Sequence, residues 1–244
     1  MIALGILRIV LHLMRGLLTC ALVFPLVDSA GRTRRIRNWS IDLLAIFRVS
    51  VVVRHTGCGA LAPRALIVAN HVSWLDIFVI NAMQPCRFVA KSDIRSWPLL
   101  GYLCARSGTI FIARGRVRDV RRIFQDLVDS IRNGEHVAFF PEGTTSAQGG
   151  LLPFHANLFE AAIDAGVPIQ PMALRYVDAD GKLAPHADFI GDMTFAQSMM
   201  VILKAPRLSA ELIVLPLIDT AGAHRRELAP VARTAIAHAL GYEH

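Results

Sequence analysis

Within Asn70-His71-Val72-Ser73-Trp74-Leu75-Asp76, a histidine and an aspartate stand five positions apart. An imidazole backed by a carboxylate is a general base. The carboxylate orients the ring and stabilises its charged form, while the other nitrogen takes a proton from a hydroxyl. The apolar run Ala65-Leu66-Ile67-Val68-Ala69 just before it reads as a buried strand, so the pair stands at a strand's end. Five residues rotate a regular helix by about 140° beyond one full turn, so the two side chains would diverge inside one helix. They meet only if His71 lies in the turn before a helix and Asp76 in its first turn. Ser73 supports a helix start there, because Ser73-x-x-Asp76 has the capping-box pattern. That pattern leaves a second reading open, in which Asp76 caps the helix and His71 is a polar loop residue.

Three further clusters follow in the chain. Gly108-Thr109-Ile110-Phe111-Ile112-Ala113-Arg114-Gly115 is a buried strand that delivers an arginine at its end. A guanidinium suits a phosphate because its fork donates two parallel hydrogen bonds; the alternative is a strand-end arginine in solvent. Phe139-Phe140-Pro141-Glu142-Gly143-Thr144-Thr145-Ser146 again runs from an apolar strand into a polar loop. Glu142 is suited to a hydroxyl, and the amides and hydroxyls from Gly143 to Ser146 to an anion or polyol; the alternative is a plain Pro-Gly turn. Gly166-Val167-Pro168-Ile169-Gln170-Pro171-Met172 reads as a loop entering a strand.

The elements that must position these residues alternate. Strands are predicted at Val51–His55, Leu66–Ala69, Arg87–Ala90, Thr109–Ala113, Val137–Phe140, Ile169–Leu174 and Leu212–Leu215. Helices are predicted at Trp74–Met83, Pro98–Ser107, Val117–Asn133, Asn157–Ala165, Thr194–Leu203 and Glu227–Leu240. Such alternation gives an α/β fold, a mostly parallel central sheet flanked by helices. Ligand sites in such sheets lie at the C-terminal strand ends. The polar clusters are predicted to converge there.

At 244 residues, one substantial core plus an appendage is the default. The apolar fraction of 54% and mean hydropathy of +0.45 point to membrane contact. A net charge of +7 fits nucleic acid or anionic lipid. No RNP motif, zinc-finger spacing or heptad array is present, so membrane lipids are the expected partner and nucleic acid is not. Cys20, Cys58, Cys86 and Cys104 are scattered without a C-x-x-C pair. That argues against a zinc site or a disulfide framework and fits a reducing, cytoplasmic location.

Residues 1–50 are expected to form an N-terminal helical membrane-binding appendage to an α/β domain over 51–244. Up to Val27 the charge-capable side chains are Arg8, His12 and Arg15, which share one helical face. A helix lying in the interface would turn that stripe to lipid phosphates. A spanning anchor and a cleaved signal peptide remain alternatives. Gly31-Arg32-Thr33-Arg34-Arg35-Ile36-Arg37, with Trp39 and Ile41–Phe47 after it, reads as a second interfacial helix; the other reading is a solvated basic linker.

The ordered blocks Asn70–Asp76, Gly108–Arg114, Phe140–Thr144 and Val167–Met172 resemble the glycerophospholipid acyltransferase family. Its patterns are N-H-x-x-x-x-D, G-x-x-F-I-x-R, F-P-E-G-T and V-P-I-x-P-V. The resemblance covers residues 65–175 and is greatest to bacterial 1-acylglycerol-3-phosphate acyltransferases and related lysolipid acyltransferases. It implies His71 as general base, Asp76 as its orienter and Arg114 on the acceptor's phosphate. Glu142, Gly143 and Thr144 would position the acceptor's head, with Lys91 a further basic contributor. The acyl donor would be acyl-CoA or acyl carrier protein, with no cofactor and no metal. The acceptor would be a lysolipid, first 1-acylglycerol-3-phosphate, at the cytoplasmic face of the cell membrane. Two departures lower positive charge near the acceptor. Thr145 stands where many phosphatidate-forming members have arginine, and Phe154-His155-Ala156-Asn157 replaces a basic Phe-Lys-x-Gly pattern. A lyso-ornithine lipid or a larger-headed lysophospholipid is therefore the alternative acceptor.

Other classes lack their signatures. No G-x-S-x-G elbow supports a serine lipase, no H-E-x-x-H a metallohydrolase and no phosphate loop a nucleotide enzyme. A non-catalytic membrane-binding module would explain the N-terminus and the charge, but not the His-Asp pair with its companion blocks.

Overall fold

The computed structural model describes residues 2–56, 62–112 and 117–242, with side chains from residue 124 onward in the helix that starts at Val117. Seven strands form one sheet: β1 Val49–His55, β2 Leu66–Ala69, β3 Arg87–Lys91, β4 Ile110–Ile112, β5 Val137–Phe139, β6 Ile169–Val177 and β7 Leu208–Val214. Their order is β1-β7-β6-β2-β5-β3-β4. Every neighbouring pair is parallel except β6 with β7. The strands β6, β2, β5, β3 and β4 thus run one way, and β1 and β7 the other.

The helices are α1 Ile2–Leu18, α2 Ser29–Ile46, α3 Asp76–Met83, α4 Leu100–Arg106, α5 Val117–Arg132, α6 Glu160–Ala165, α7 Phe195–Lys204 and α8 Arg225–Leu240. Because side chains alternate along a strand, the sheet needs cover on both faces. Ile67, Ala69, Met172 and Leu174 enter one buried cluster with residues of α2, α3 and α7. Leu66, Val68, Val137 and Ile169 enter another with residues of α5, α6 and α8. Leu127, Val128 and Ile131 of α5 are buried there, the packed stripe of the covering helix.

The N-terminal helices are not a free appendage. Leu43, Leu44 and Phe47 are buried in the same cluster as Leu75, Val79 and Tyr176. The basic stripe of α1 also departs from expectation. His12 is buried and stacks on Trp39 of α2, with ring centroids 4.3 Å apart. Arg15 pairs with Asp42 and donates to His12 Nδ1, so that ring nitrogen accepts and the imidazole is neutral. Burial and the neighbouring Arg15 guanidinium push the His12 pKa down to about 4. Of the three, Arg8 and Arg15 are exposed, Arg15 in its pair with Asp42, and His12 alone faces protein. The exposed face of α1 is instead apolar, carrying Leu4, Leu7, Leu11 and Leu18. The helical stretch Ile2–Leu26 is long and apolar enough to cross a bilayer by length and composition.

Candidate active site

Strands β2, β3 and β5 run parallel, so their C-terminal ends share one sheet edge. His71 lies two residues past β2, and Asp76 is the first residue of α3. The pair therefore straddles the turn, as the spacing requires. His71 Nδ1 stands 2.8 Å from Asp76 Oδ2. Asp76 is fully buried, while the His71 side chain is 18% exposed. The ring lies flat on Phe140, centroids 3.9 Å apart and planes 6° off parallel. With Nδ1 spent on the carboxylate, Nε2 is the ring nitrogen that the carboxylate does not engage.

Asp76 is held by more than His71. Oδ2 also accepts the amides of Val72 and Ser73 at 2.7 and 2.9 Å. Oδ1 accepts the Tyr176 hydroxyl at 2.7 Å. This reverses the expected capping. The Ser73 hydroxyl finds no partner among the described residues, and the carboxylate gathers the turn's amides instead. A carboxylate ringed by donors is fixed in place, which is what a ring-orienting partner requires.

Glu142 is the second buried carboxylate. Oε1 accepts the His71 amide at 2.8 Å. Oε2 accepts the Ser146 hydroxyl at 2.7 Å and the Leu152 amide at 2.9 Å. Ser146 N in turn donates to the His71 carbonyl. Both carboxylate oxygens are thus filled by the chain itself. An acceptor hydroxyl, the expected ligand of Glu142, would have to compete with three protein donors. What the geometry shows is Glu142 tying the loop after β5 to the backbone of His71.

Gly143 has φ +70°, and a Cβ there would stand 3.3 Å from the His155 ring, so the position favours glycine. Thr144 and Lys91 are exposed, the latter at the end of β3. Arg114 lies outside the described residues. Thr145 does not face a headgroup freely: its hydroxyl donates to the Phe189 carbonyl.

Tyr176 escaped sequence reasoning. The predicted strand ended at Leu174, whereas β6 runs on to Val177. Ala69 pairs with Met172, so β6 overshoots β2 and carries Tyr176 above the dyad. Asn70 bridges the overshoot: its side chain donates to and accepts from the Leu174 backbone, both at 2.8 Å. Gln148 anchors the next step, accepting the Tyr176 amide and donating to Ala184 O and Asp188 Oδ1. The segment 178–189, which carried no assigned role in the sequence, therefore closes over the site. Burial, then the neighbouring Asp76 charge, push the Asp188 carboxyl up, partly offset by Gln148. Among the described residues no group of three or more His, Cys, Asp or Glu is placed to hold a metal ion.

The fold is an open α/β sheet with a His-Asp pair at its strand ends and an apolar N-terminal helix. The Acyltransferase family model matches residues 52–175, and the chain belongs to that family. A lyso-ornithine lipid O-acyltransferase of Pseudomonas aeruginosa is 38% identical over 216 residues, 88% of this chain and 82% of that protein. A 1-acyl-sn-glycerol-3-phosphate acyltransferase of Neisseria gonorrhoeae is 40% identical over 161 residues, 66% of this chain. The match spans 63% of that relative's length, and 46% of its counterpart in Neisseria meningitidis. In fold, the chain is similar to the PlsC 1-acyl-sn-glycerophosphate acyltransferase of Thermotoga maritima. The TM-score is 0.66 at 19% identity, covering 97% of this chain and 96% of that one.

Proposed function

We propose that this protein transfers a fatty acyl group from an acyl thioester to the free hydroxyl of a lysolipid. The observation that carries this reading is the His71 Nδ1–Asp76 Oδ2 contact, which leaves Nε2 as the ring nitrogen not engaged by the carboxylate. His71 Nε2 removes the acceptor hydroxyl's proton as the oxygen attacks the thioester carbonyl carbon. The new ester C–O bond forms and the C–S bond breaks. The departing sulfur then takes the proton back from the imidazolium. Asp76 steadies that positive charge in between. No protein nucleophile is needed, and the donor is acyl-CoA or acyl carrier protein.

For the acceptor, 1-acylglycerol-3-phosphate is the first reading. Arg114 would hold the phosphate, with Gly143, Thr144 and Lys91 lining the approach to the head and Glu142 acting through the His71 backbone. A lyso-ornithine lipid is the second reading, favoured by Thr145, which lacks a guanidinium and is turned to Phe189. The relative matched over most of its length, named for that acceptor, supports it further. The reaction would run on a membrane at its cytoplasmic face, with the apolar side of α1 in the lipid.

The test supplies both donors with a panel of lysolipids and follows thiol release and diacyl product. Phosphatidate formation supports the first acceptor, and diacyl ornithine lipid the second. Wild-type inactivity with every donor and acceptor would leave a membrane-binding module. Arg114→Ala should raise the acceptor KM; an effect confined to the donor would reassign that arginine.

A further inference from the structure

The chain between β3 and β4 holds three large apolar side chains in solvent within six residues. Trp97, Leu99 and Tyr102 are 42%, 55% and 42% exposed. Leu99 has φ +62° and ψ −51°, a conformation that a leucine adopts only against steric cost. The Leu100 amide donates to the Pro98 carbonyl at 2.6 Å, closing a three-residue turn on Leu99. Below it a Cβ on Gly101 would stand 2.2 Å from the Arg95 carbonyl oxygen, so only glycine lets the turn settle there. A leucine held in strain with its side chain wet is accounted for if that side chain leaves water when the protein works.

The neighbours say what it meets. α4 abuts α1: Leu103 lies 3.4 Å from where a Gly16 Cβ would stand, and Arg106 donates to the Cys20 carbonyl at 3.1 Å. The turn is therefore continuous with the helix whose outer face exposes Leu7, Leu11 and Leu18. Exposed Arg95 and Arg106 flank it, Arg106 with its guanidinium 5.9 Å from the Tyr102 ring centre. Tryptophan and tyrosine beside cationic side chains are suited to the headgroup level of a bilayer. On the inner side, the Trp97 ring lies 6.4 Å from Phe195, and Phe195 lies 4.8 Å from Trp74. Trp74 belongs to the turn that joins His71 to Asp76.

We propose that the Trp97–Tyr102 turn is a second lipid-facing element, which sets Trp97, Leu99 and Tyr102 into the headgroup–acyl boundary of an anionic phospholipid bilayer beside the dyad. The idea rests on the acyl-transfer reading above, since it places the membrane where a lysolipid would reach His71. Unlike α1, the turn is a local wedge joined through Phe195 and Trp74 to the dyad's own turn.

The test uses the full chain with vesicles of phosphatidylglycerol and phosphatidylethanolamine. Glycine is at ease at φ +62°, so Leu99→Gly should keep or raise Tm while its vesicle partition falls about five-fold. Leu99→Asp should fall further. Brominated lipids should quench a fraction of the tryptophan emission that is missing in Trp97→Phe. Turnover of monomeric short-chain lysolipid should be unchanged in Leu99→Gly, while turnover of vesicle-borne lysolipid falls with the partition. The proposal is overturned if both Leu99 variants partition like wild type and Trp97 is not quenched. A lowered Tm in Leu99→Gly would also overturn it, by making the leucine structural. If wild type turns over neither monomeric nor vesicle-borne lysolipid with either donor, the acyl-transfer reading fails, while partition and quenching still decide the wedge.

Discussion

A buried carboxylate that accepts two amides, a phenol and an imidazole has little freedom to turn, and His71 inherits that rigidity. Asp76→Asn would put an amide where acceptors are needed and lose the charge that steadies the imidazolium. Turnover should fall about 10²–10⁴-fold, and stability should drop by about 1–3 kcal/mol as buried donors lose their partner. Steady-state kinetics and thermal unfolding check both. Tyr176→Phe is subtler. Burial and the adjacent Asp76 charge hold the phenol well above its ordinary pKa, so it remains a donor at working pH. Without it, Asp76 loses one of its four donors and orients the His71 ring less firmly. In Tyr176→Phe kcat should fall about ten-fold with KM little changed; an unchanged kcat would make Tyr176 merely structural. The contact between His71 and Asp76 was legible because their spacing lets them meet only across a turn before a helix. The sequence hid Tyr176, which depends on how far β6 overshoots β2, and the contacts of Glu142, two of whose three partners are backbone amides.

At the scale of elements, every predicted strand and helix has a counterpart, since apolar runs and periodicity report burial directly. What periodicity left out was direction. β7 joins β1 in running against the rest, and no local pattern marks that reversal. The burial of His12 in α1 was missed for a related reason. A basic stripe looks lipid-directed until its partners Trp39 and Asp42 are known. His12 is neutral at the α1–α2 contact, with its folded pKa below the unfolded one. Its stabilisation is therefore full above about pH 6.5 and is lost as pH falls toward about 4. Arg15 and Asp42 are the charged groups facing it, and Arg15 opposes the added charge. Trp39 emission should change through that window as His12 charges against the indole, and His12→Phe should abolish the change. A flat emission profile in wild type would contradict the buried His12.

The whole molecule joins a rigid sheet-edge site to an apolar outer surface with a net charge of +7. Removing residues 1–50 would strip Leu43, Leu44 and Phe47 from the core, so surface substitution is the better probe of the membrane. Replacing Leu4, Leu7, Leu11 and Leu18 with serine should release the protein from vesicles with little change in Tm. Retention on the vesicles at high salt would place the contact elsewhere. Composition pointed to a lipid partner, but which apolar residues stay exposed depends on how α1 docks. The central claim is that His71 takes the proton of a lysolipid hydroxyl during attack on an acyl thioester. Its most direct test is thiol release from acyl-CoA and acyl carrier protein by wild type and His71→Ala, with 1-acylglycerol-3-phosphate and lyso-ornithine lipid as acceptors. Acceptor-dependent thiol release and diacyl product in wild type, falling at least about 10²-fold in a folded His71→Ala, is the predicted result. Near-wild-type turnover in His71→Ala would contradict it.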